Sequence, residues 1–371
     1  MESPWRTPSI LLMLSLCVLG SSGYEGGGAD EAKTSLHHLP HRGPDRSHEK
    51  SSSSLVTSSP ITKLFVFGDS YVDTGNADGN SWGEPYGITY PGKPAGRMSD
   101  GRVLTDFLAS YLGLKSPPAP YRRWTTSTAE TGVNFATGGT GVFNTLNPGP
   151  NMSTQIDQFQ NLLGQVYSFA DLNSSAALVT ISGNDYTTYI KNKGIGAIVG
   201  LKDFITTVVI QLTADVKRIH DLGVSRVLVS NVAPLGCLPI MASFTGHCLG
   251  IINDMADFHN QQLQQAVQGL SSNLSALSPT TGFTLLDLHS SFLFALDSKG
   301  LFENLLKPCC ATTSLDHNCG YVDSKTGEKK YSICMNPQTS LFWDWLHPTQ
   351  AGWDAVFSNL ANTINQQLCR N

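Results

Sequence analysis

The sequence is poor in charge. Only 14% of its 371 residues are Asp, Glu, Lys or Arg, against roughly 25% in an average soluble protein. It has no basic run, and its formal charge is −5. Neither gives an electrostatic reason to expect a polyanion, so nucleic-acid partners are set aside. The eight cysteines include no C-x-x-C pair, which removes the usual sign of a zinc site; no metal site is expected. There is no internal repeat. Long apolar runs are scarce as well. The run from Ile10 to Gly20 has eleven residues, short of the about 20 that span a bilayer, and no later segment reads as long and apolar enough to do so.

That short run is informative for another reason. Arg6 precedes it, and Ser21, Ser22 and Gly23 follow. Charged, then apolar, then small is the layout of a cleaved secretory signal, expected over residues 1–23. The cysteines fit an oxidising compartment, where they read as disulfides. Cys237 and Cys248 lie close in sequence, and Cys309, Cys310, Cys319 and Cys334 crowd into one segment. The adjacent Cys309 and Cys310 are expected to bond one each to Cys319 and Cys334, in either pairing. Cys17 falls inside the signal, and Cys369 is the odd one out. Three N-x-S/T sequons, at Asn151, Asn173 and Asn273, would be usable glycan sites on a secreted chain. The expected destination is extracellular, with the cell wall as one option.

Residues 24–60 are polar and low in complexity, with four histidines (His37, His38, His41, His48) and a serine run from Ser51 to Ser54. Such a tract cannot bury enough apolar area to offset its chain entropy, so it reads as a disordered linker or pro-segment. The histidines read as solvated rather than metal-binding.

After Pro60 short apolar runs alternate with helical patterns. The runs 64–67 (LFVF), 132–136 (GVNFA), 176–181 (AALVTI), 226–230 (RVLVS) and 283–288 (FTLLDL) look like buried strands. Between them, Leu201, Phe204, Ile205, Val208, Leu212, Val216 and Ile219 form one apolar stripe at helical spacing. Strands separated by helices argue for a parallel sheet covered on both faces, one α/β domain over residues 61–371.

In an open parallel sheet, ligands sit beyond the carboxyl ends of the strands. The first strand is followed there by Gly68-Asp69-Ser70, the second by Thr137-Gly138-Gly139-Thr140-Gly141 and the third by Ser182-Gly183-Asn184-Asp185. A hydroxyl, a flexible backbone with free N–H groups and a side-chain amide are the parts of an acyl-transfer site. Serine needs a base, and the best candidate is His347, with Asp344 three residues earlier. On one helical turn the two would share a face, and the carboxylate could orient the imidazole. A lone D-x-x-H means little; a capping aspartate beside a surface histidine is the commoner case. Its weight comes from the three strand-end motifs.

Other residues are weaker candidates. Ser81 matches G-x-S-x-G, but that elbow needs a strand before it and a helix after, and loop sequence flanks it on both sides. Asp69, Asp73 and Asp185 are expected to hold loops through backbone hydrogen bonds. His220, His259 and His289 read as structural or exposed. Trp343 and Trp345 are expected to pack around the C-terminal helix, with a cleft-lining place for Trp345 as the alternative.

In sequence order, these blocks resemble the plant GDSL esterase/lipases of the SGNH-hydrolase group, over nearly everything after about Ile61. The stretch from Phe67 to Asn76 looks like the first family block, whose serine is the nucleophile. Asn134 to Gly141 is similar to the second, Gly183-Asn184-Asp185 to the third, and Asp344 to Thr349 to the fifth. Pro234 to Pro239 and the Pro308-Cys309-Cys310 segment also match in kind. The departures are Thr137, where serine is more usual, and the long preceding tract. The resemblance implies a flavodoxin-like three-layer α/β/α sandwich with a five-stranded parallel sheet. It implies a Ser70–His347–Asp344 triad, oxyanion donors from Ser70, Gly138 and Asn184, and no cofactor. The activity implied is hydrolysis of carboxylic esters, of lipid or small acyl or carbohydrate type. An acyltransferase would use the same residues, and only a product assay separates the two. A secreted binding protein for cell-wall glycan or lipid would be marked by a lost triad or oxyanion residue, and none is lost.

Overall fold

The first strand shows why the fold is layered. In β1 (Lys63–Gly68) every residue from Leu64 to Phe67 is buried. Leu64 and Val66 enter one apolar cluster, Phe65 and Phe67 another. Alternate side chains point to opposite faces of a strand, so such a run needs cover on both sides. The computed structural model supplies that cover, and describes residues 61–77, 83–243, 245–274, 282–298, 300–315 and 317–368. The expected signal (1–23), the polar tract (24–60), Ser81 and Cys369 lie outside the described residues.

The remaining sheet strands are β2 (Ala119–Pro120), β3 (Val133–Asn134), β4 (Ser175–Thr180), β5 (Arg226–Ser230) and β6 (Gly282–Leu286). All pair in parallel, in the order β2-β3-β1-β4-β5-β6. The five strands expected from sequence are all present. Set apart from β2, their order is the flavodoxin-like one, with its topological switch beside β1. The sheet has six strands rather than five because two-residue β2 joins its edge. Pro120 lacks a donor and is tolerated only at an edge, and two residues are too few to leave a period in the sequence.

The helices are α1 (Leu104–Tyr111), α2 (Met152–Gln160), α3 (Phe169–Asn173), α4 (Asn184–Lys193), α5 (Ala197–Asp221), α6 (Pro239–Ala242), α7 (Gly250–Leu274), α8 (Leu288–Asp297) and α9 (Gln350–Leu368). Helices α1, α8 and α9 cover the Leu64 face, where Leu108, Phe292 and Trp353 are buried. Helices α2, α5 and α7 cover the Phe65 face, where Phe159, Leu212 and Leu263 are buried. At 25 residues α5 is, contrary to expectation, long and apolar enough by length and composition to cross a membrane. Aliphatics outside the stripe, among them Ile198, Val199, Val209 and Ile210, raise its apolar content. The stripe itself, Leu201, Ile205, Val208, Leu212, Val216 and Ile219, is buried in the domain core.

Beyond α8 regular structure thins. Strands β7 (Asn304–Pro308), β8 (Cys310–Thr312), β9 (Tyr331–Ile333) and β10 (Ser340–Phe342) make two small two-stranded sheets, β7 with β10 and β8 with β9. Disulfides hold this segment. Cys309 bonds Cys334 and Cys310 bonds Cys319, which settles the pairing left open by sequence. Cys237–Cys248 closes a separate loop.

Candidate active site

Strand β1 ends where it must run very close to β4. A Cβ on Gly68 would lie 2.0 Å from the Thr180 carbonyl oxygen, and the residue has φ +138°, so glycine is required there. The chain then turns through Asp69 to Ser70. Buried Gln155 on α2 ties this turn to the next loop. Its Oε1 accepts from Gly68 N at 2.8 Å, and its Nε2 donates to Gly68 O at 2.9 Å and Thr140 Oγ1 at 3.2 Å.

Ser70 Oγ stands 2.9 Å from His347 Nε2, and His347 Nδ1 stands 2.9 Å from each Asp344 carboxylate oxygen. All three residues are buried. Asp344 and His347 do not share a helical turn as expected. They lie in an irregular turn between β10 and α9, closed by the carboxylate itself. Asp344 Oδ1 accepts from Leu346 N at 2.9 Å and His347 N at 2.8 Å, while Trp343 N donates to His347 O at 2.7 Å. Local side-chain-to-backbone bonds of this kind are what aspartate offers in place of helix. Burial pushes the Asp344 carboxyl up, but the His347 charge and the hydrogen bonds from His347, Leu346 and Tyr86 outweigh it and hold it below the usual range.

Asp69 and Asp73 shape the strand-end loops. Asp69 Oδ2 accepts from Ser182 N at 2.6 Å, Ser182 Oγ at 2.7 Å and Asn184 Nδ2 at 3.1 Å. Asn184 Nδ2 also donates to Thr140 O at 2.9 Å, so the amide sits where the three loops meet. Burial pushes the Asp69 carboxyl up to about 6, despite the opposing hydrogen bonds and His347. Asp73 Oδ1 accepts from Gly75 N and Asn76 N, both at 2.7 Å, and its Oδ2 from Ala77 N and Gly138 N, both at 2.9 Å. Asp185 accepts from Val142 N and Phe143 N, each at 2.9 Å. All three carboxylates thus hold backbone.

The Gly138 bond matters for the oxyanion set. Its N–H is directed at Asp73, whereas the N–H groups of Ser70 and Gly139 meet no acceptor among the described residues. The Gly138 carbonyl accepts from Asn147 Nδ2 at 2.7 Å, which turns the N–H on the same peptide, that of Gly139, the opposite way.

Two contacts escaped the sequence reading. Tyr86 OH donates to Asp344 Oδ2 at 2.7 Å across 258 residues, and Tyr71 OH donates to Leu346 O at 3.1 Å. Neither tyrosine stands in a pattern that signals a partner so far along the chain. Trp343 packs against Tyr86 and the cysteine cluster rather than around α9. Trp345 is half-buried, and its Nε1 donates to Thr312 Oγ1 at 2.8 Å. His259 bonds Tyr186, His289 faces Asp257 and His220 packs on Phe283; all three spend their rings away from Ser70. Of the sequons, Asn173 is exposed on α3. Asn151 caps α2 through Thr154 N at 3.0 Å. Asn273 lies in α7, with its side chain outside the described residues.

Residues 64–360 match the family model described as GDSL-like Lipase/Acylhydrolase. One GDSL esterase/lipase of Arabidopsis thaliana is 47% identical over 327 residues, covering 83% of this chain and 88% of its own length. A second from the same plant is 46% identical over 316 residues, covering 80% and 87%.

Proposed function

The chain belongs to the GDSL-like lipase/acylhydrolase family and is a carboxylic ester hydrolase, and from that premise we propose that Ser70, His347 and Asp344 carry the reaction as a triad. The observation that supports this most is the unbroken chain of contacts from Ser70 Oγ through His347 to Asp344, each at 2.9 Å. His347 Nε2 takes the serine proton as Oγ attacks the ester carbonyl. Asp344 fixes which imidazole nitrogen carries hydrogen and balances the imidazolium that forms. The alcohol leaves with that proton, and water attacks the acyl-enzyme by the same route.

The oxyanion is held by backbone N–H of Ser70 and by the Asn184 side chain, whose longer bond, to Asp69, is the one that turns to the substrate. The third donor is Gly139 rather than Gly138, because Asp73 already holds the Gly138 N–H. The substrate is an ester of lipid or small acyl or carbohydrate type, met outside the cell. Export is supported by the apolar run after Arg6 and by three disulfides, which persist in oxidising compartments.

Fluorophosphonate labelling followed by peptide mass spectrometry tests the triad. The adduct is expected on Ser70 and is expected to disappear in His347→Ala. Folded protein that takes no label, or an adduct on another serine, would overturn the assignment.

A further inference from the structure

We propose that Tyr86 is a positioning residue for the hydrolysis, acting through Asp344; this rests on the triad reading above and deepens it. The contact joins two regions with no local reason to meet. Tyr86 lies in the loop between β1 and α1, and its hydroxyl reaches Asp344 Oδ2 at 2.7 Å. The ring is 1% exposed. It meets the Trp343 indole edge-on at 6.2 Å between centroids and packs with Cys309, Cys310 and Cys319.

For packing alone, phenylalanine would serve. A buried hydroxyl must find a partner, and here the partner is the carboxylate that faces the imidazole. Oδ1 accepts two backbone N–H groups as well as facing Nδ1, whereas among the described residues Oδ2 meets the Tyr86 hydroxyl and the imidazole. The hydroxyl therefore fixes the half of the carboxylate that the turn leaves unheld. It also keeps Nδ1 equidistant from both oxygens. Burial and the Asp344 charge push the phenol well above its ordinary value, so it stays a donor across the working pH range. Hydrogen bonds to charged groups are the strong ones, and this one draws negative charge from Oδ2.

The sign of the pH effect follows. With the hydroxyl gone, the carboxylate is more basic and stabilises the imidazolium more. The acid limb of kcat/KM then moves upward. Among the described residues, Tyr71 and Asp69 also lie in the field of the pair, through Asp344 and His347 respectively.

The test uses the full secreted protein and p-nitrophenyl acetate. Tyr86→Phe is expected to lower kcat about tenfold, to leave KM within about twofold and to move the acid limb to higher pH. Tyr331→Leu, which disturbs the same cluster without touching Asp344, is expected to lower Tm and leave the acid limb in place. Should Tyr86→Phe not fold, Tyr86→Met, a flexible filler without a donor, should show the same limb shift. A Tyr86→Phe enzyme with unaltered kcat and acid limb, beside inactive Ser70→Ala and His347→Ala, overturns this inference alone. Active Ser70→Ala or His347→Ala overturns the triad reading as well.

Discussion

Ser70 and His347 meet across a seam between two regions built in different ways. The serine side is the carboxyl edge of a parallel sheet. Its loops are short, and three buried carboxylates, Asp69, Asp73 and Asp185, together with Gln155, gather their backbone N–H groups. The histidine side has little regular structure. It is an irregular turn after three-residue β10, backed by Tyr86, Trp343 and the Cys309–Cys334 and Cys310–Cys319 disulfides. On the serine side the sheet and its buried carboxylates fix the geometry; on the histidine side cross-links and aromatic packing back the hydrogen bonds of the Asp344 turn. The two sides also treat buried charge differently. Asp69 and Asp344 are both buried, yet burial raises Asp69 to about 6 while Asp344 is held below the ordinary range. Asp344 has an imidazole of its own against both oxygens, and Asp69 is met by the neutral donors of Tyr71, Ser182 and Asn184.

The largest expected effect breaks the serine side. Removing one oxyanion donor typically costs about 2.7–4 kcal/mol in the transition state. Asn184→Ala is therefore expected to cut kcat about a hundredfold or more with KM little changed, as steady-state kinetics on a soluble ester would show. Unchanged kcat would mean that Asn184 only ties Asp69 to Thr140, and that the sheet edge is scaffold alone.

The next effect falls on the histidine side. Cys310→Ser with Cys319→Ser opens a cross-link between residues nine apart, which should cost about 2–3 kcal/mol of stability. Because Tyr86 packs on these cysteines, kcat should fall several-fold as well. Denaturant unfolding and kinetics measure the two together. Loss of stability without loss of kcat would show that the disulfide supports the segment but not the turn.

The same contrast explains what the sequence revealed. The strands are legible because β1, β4 and β5 are buried on both faces, and the loops that follow them carry chemistry in consecutive residues. Asp344 and His347 are close in sequence, so their pairing could be read, though through a turn rather than a helix. Tyr86 could not be read. It is joined to Asp344 by packing around disulfides, with nothing periodic or adjacent to mark it. The use of Gly138 by Asp73 was hidden for a similar reason: two neighbouring glycines offer two N–H groups, and only a contact 65 residues away separates them.

The smallest effect concerns Asp69 and tests whether its unbalanced charge is a liability. Its carboxyl rises from 3.8 in the unfolded chain to about 6 in the fold, so the fold prefers it protonated. Its contribution is present below pH 4, is lost as pH climbs through about 6, and stays lost above. Asn at this position cannot ionise. A carboxyl moved this far can carry up to about 3 kcal/mol, and relaxation around the buried charge should reduce the measured value to roughly 1 kcal/mol. The new amide brings an N–H₂ among existing donors from Ser182 and Asn184, a cost that is the same at every pH. The readout is therefore the change in the gap: from pH 4 to pH 8, Asp69→Asn should gain on wild type in unfolding free energy by about that amount. A gap that stays constant across this range would mean that the hydrogen bonds from Tyr71, Ser182 and Asn184 balance the buried charge as fully on the sheet side as His347 does on the other.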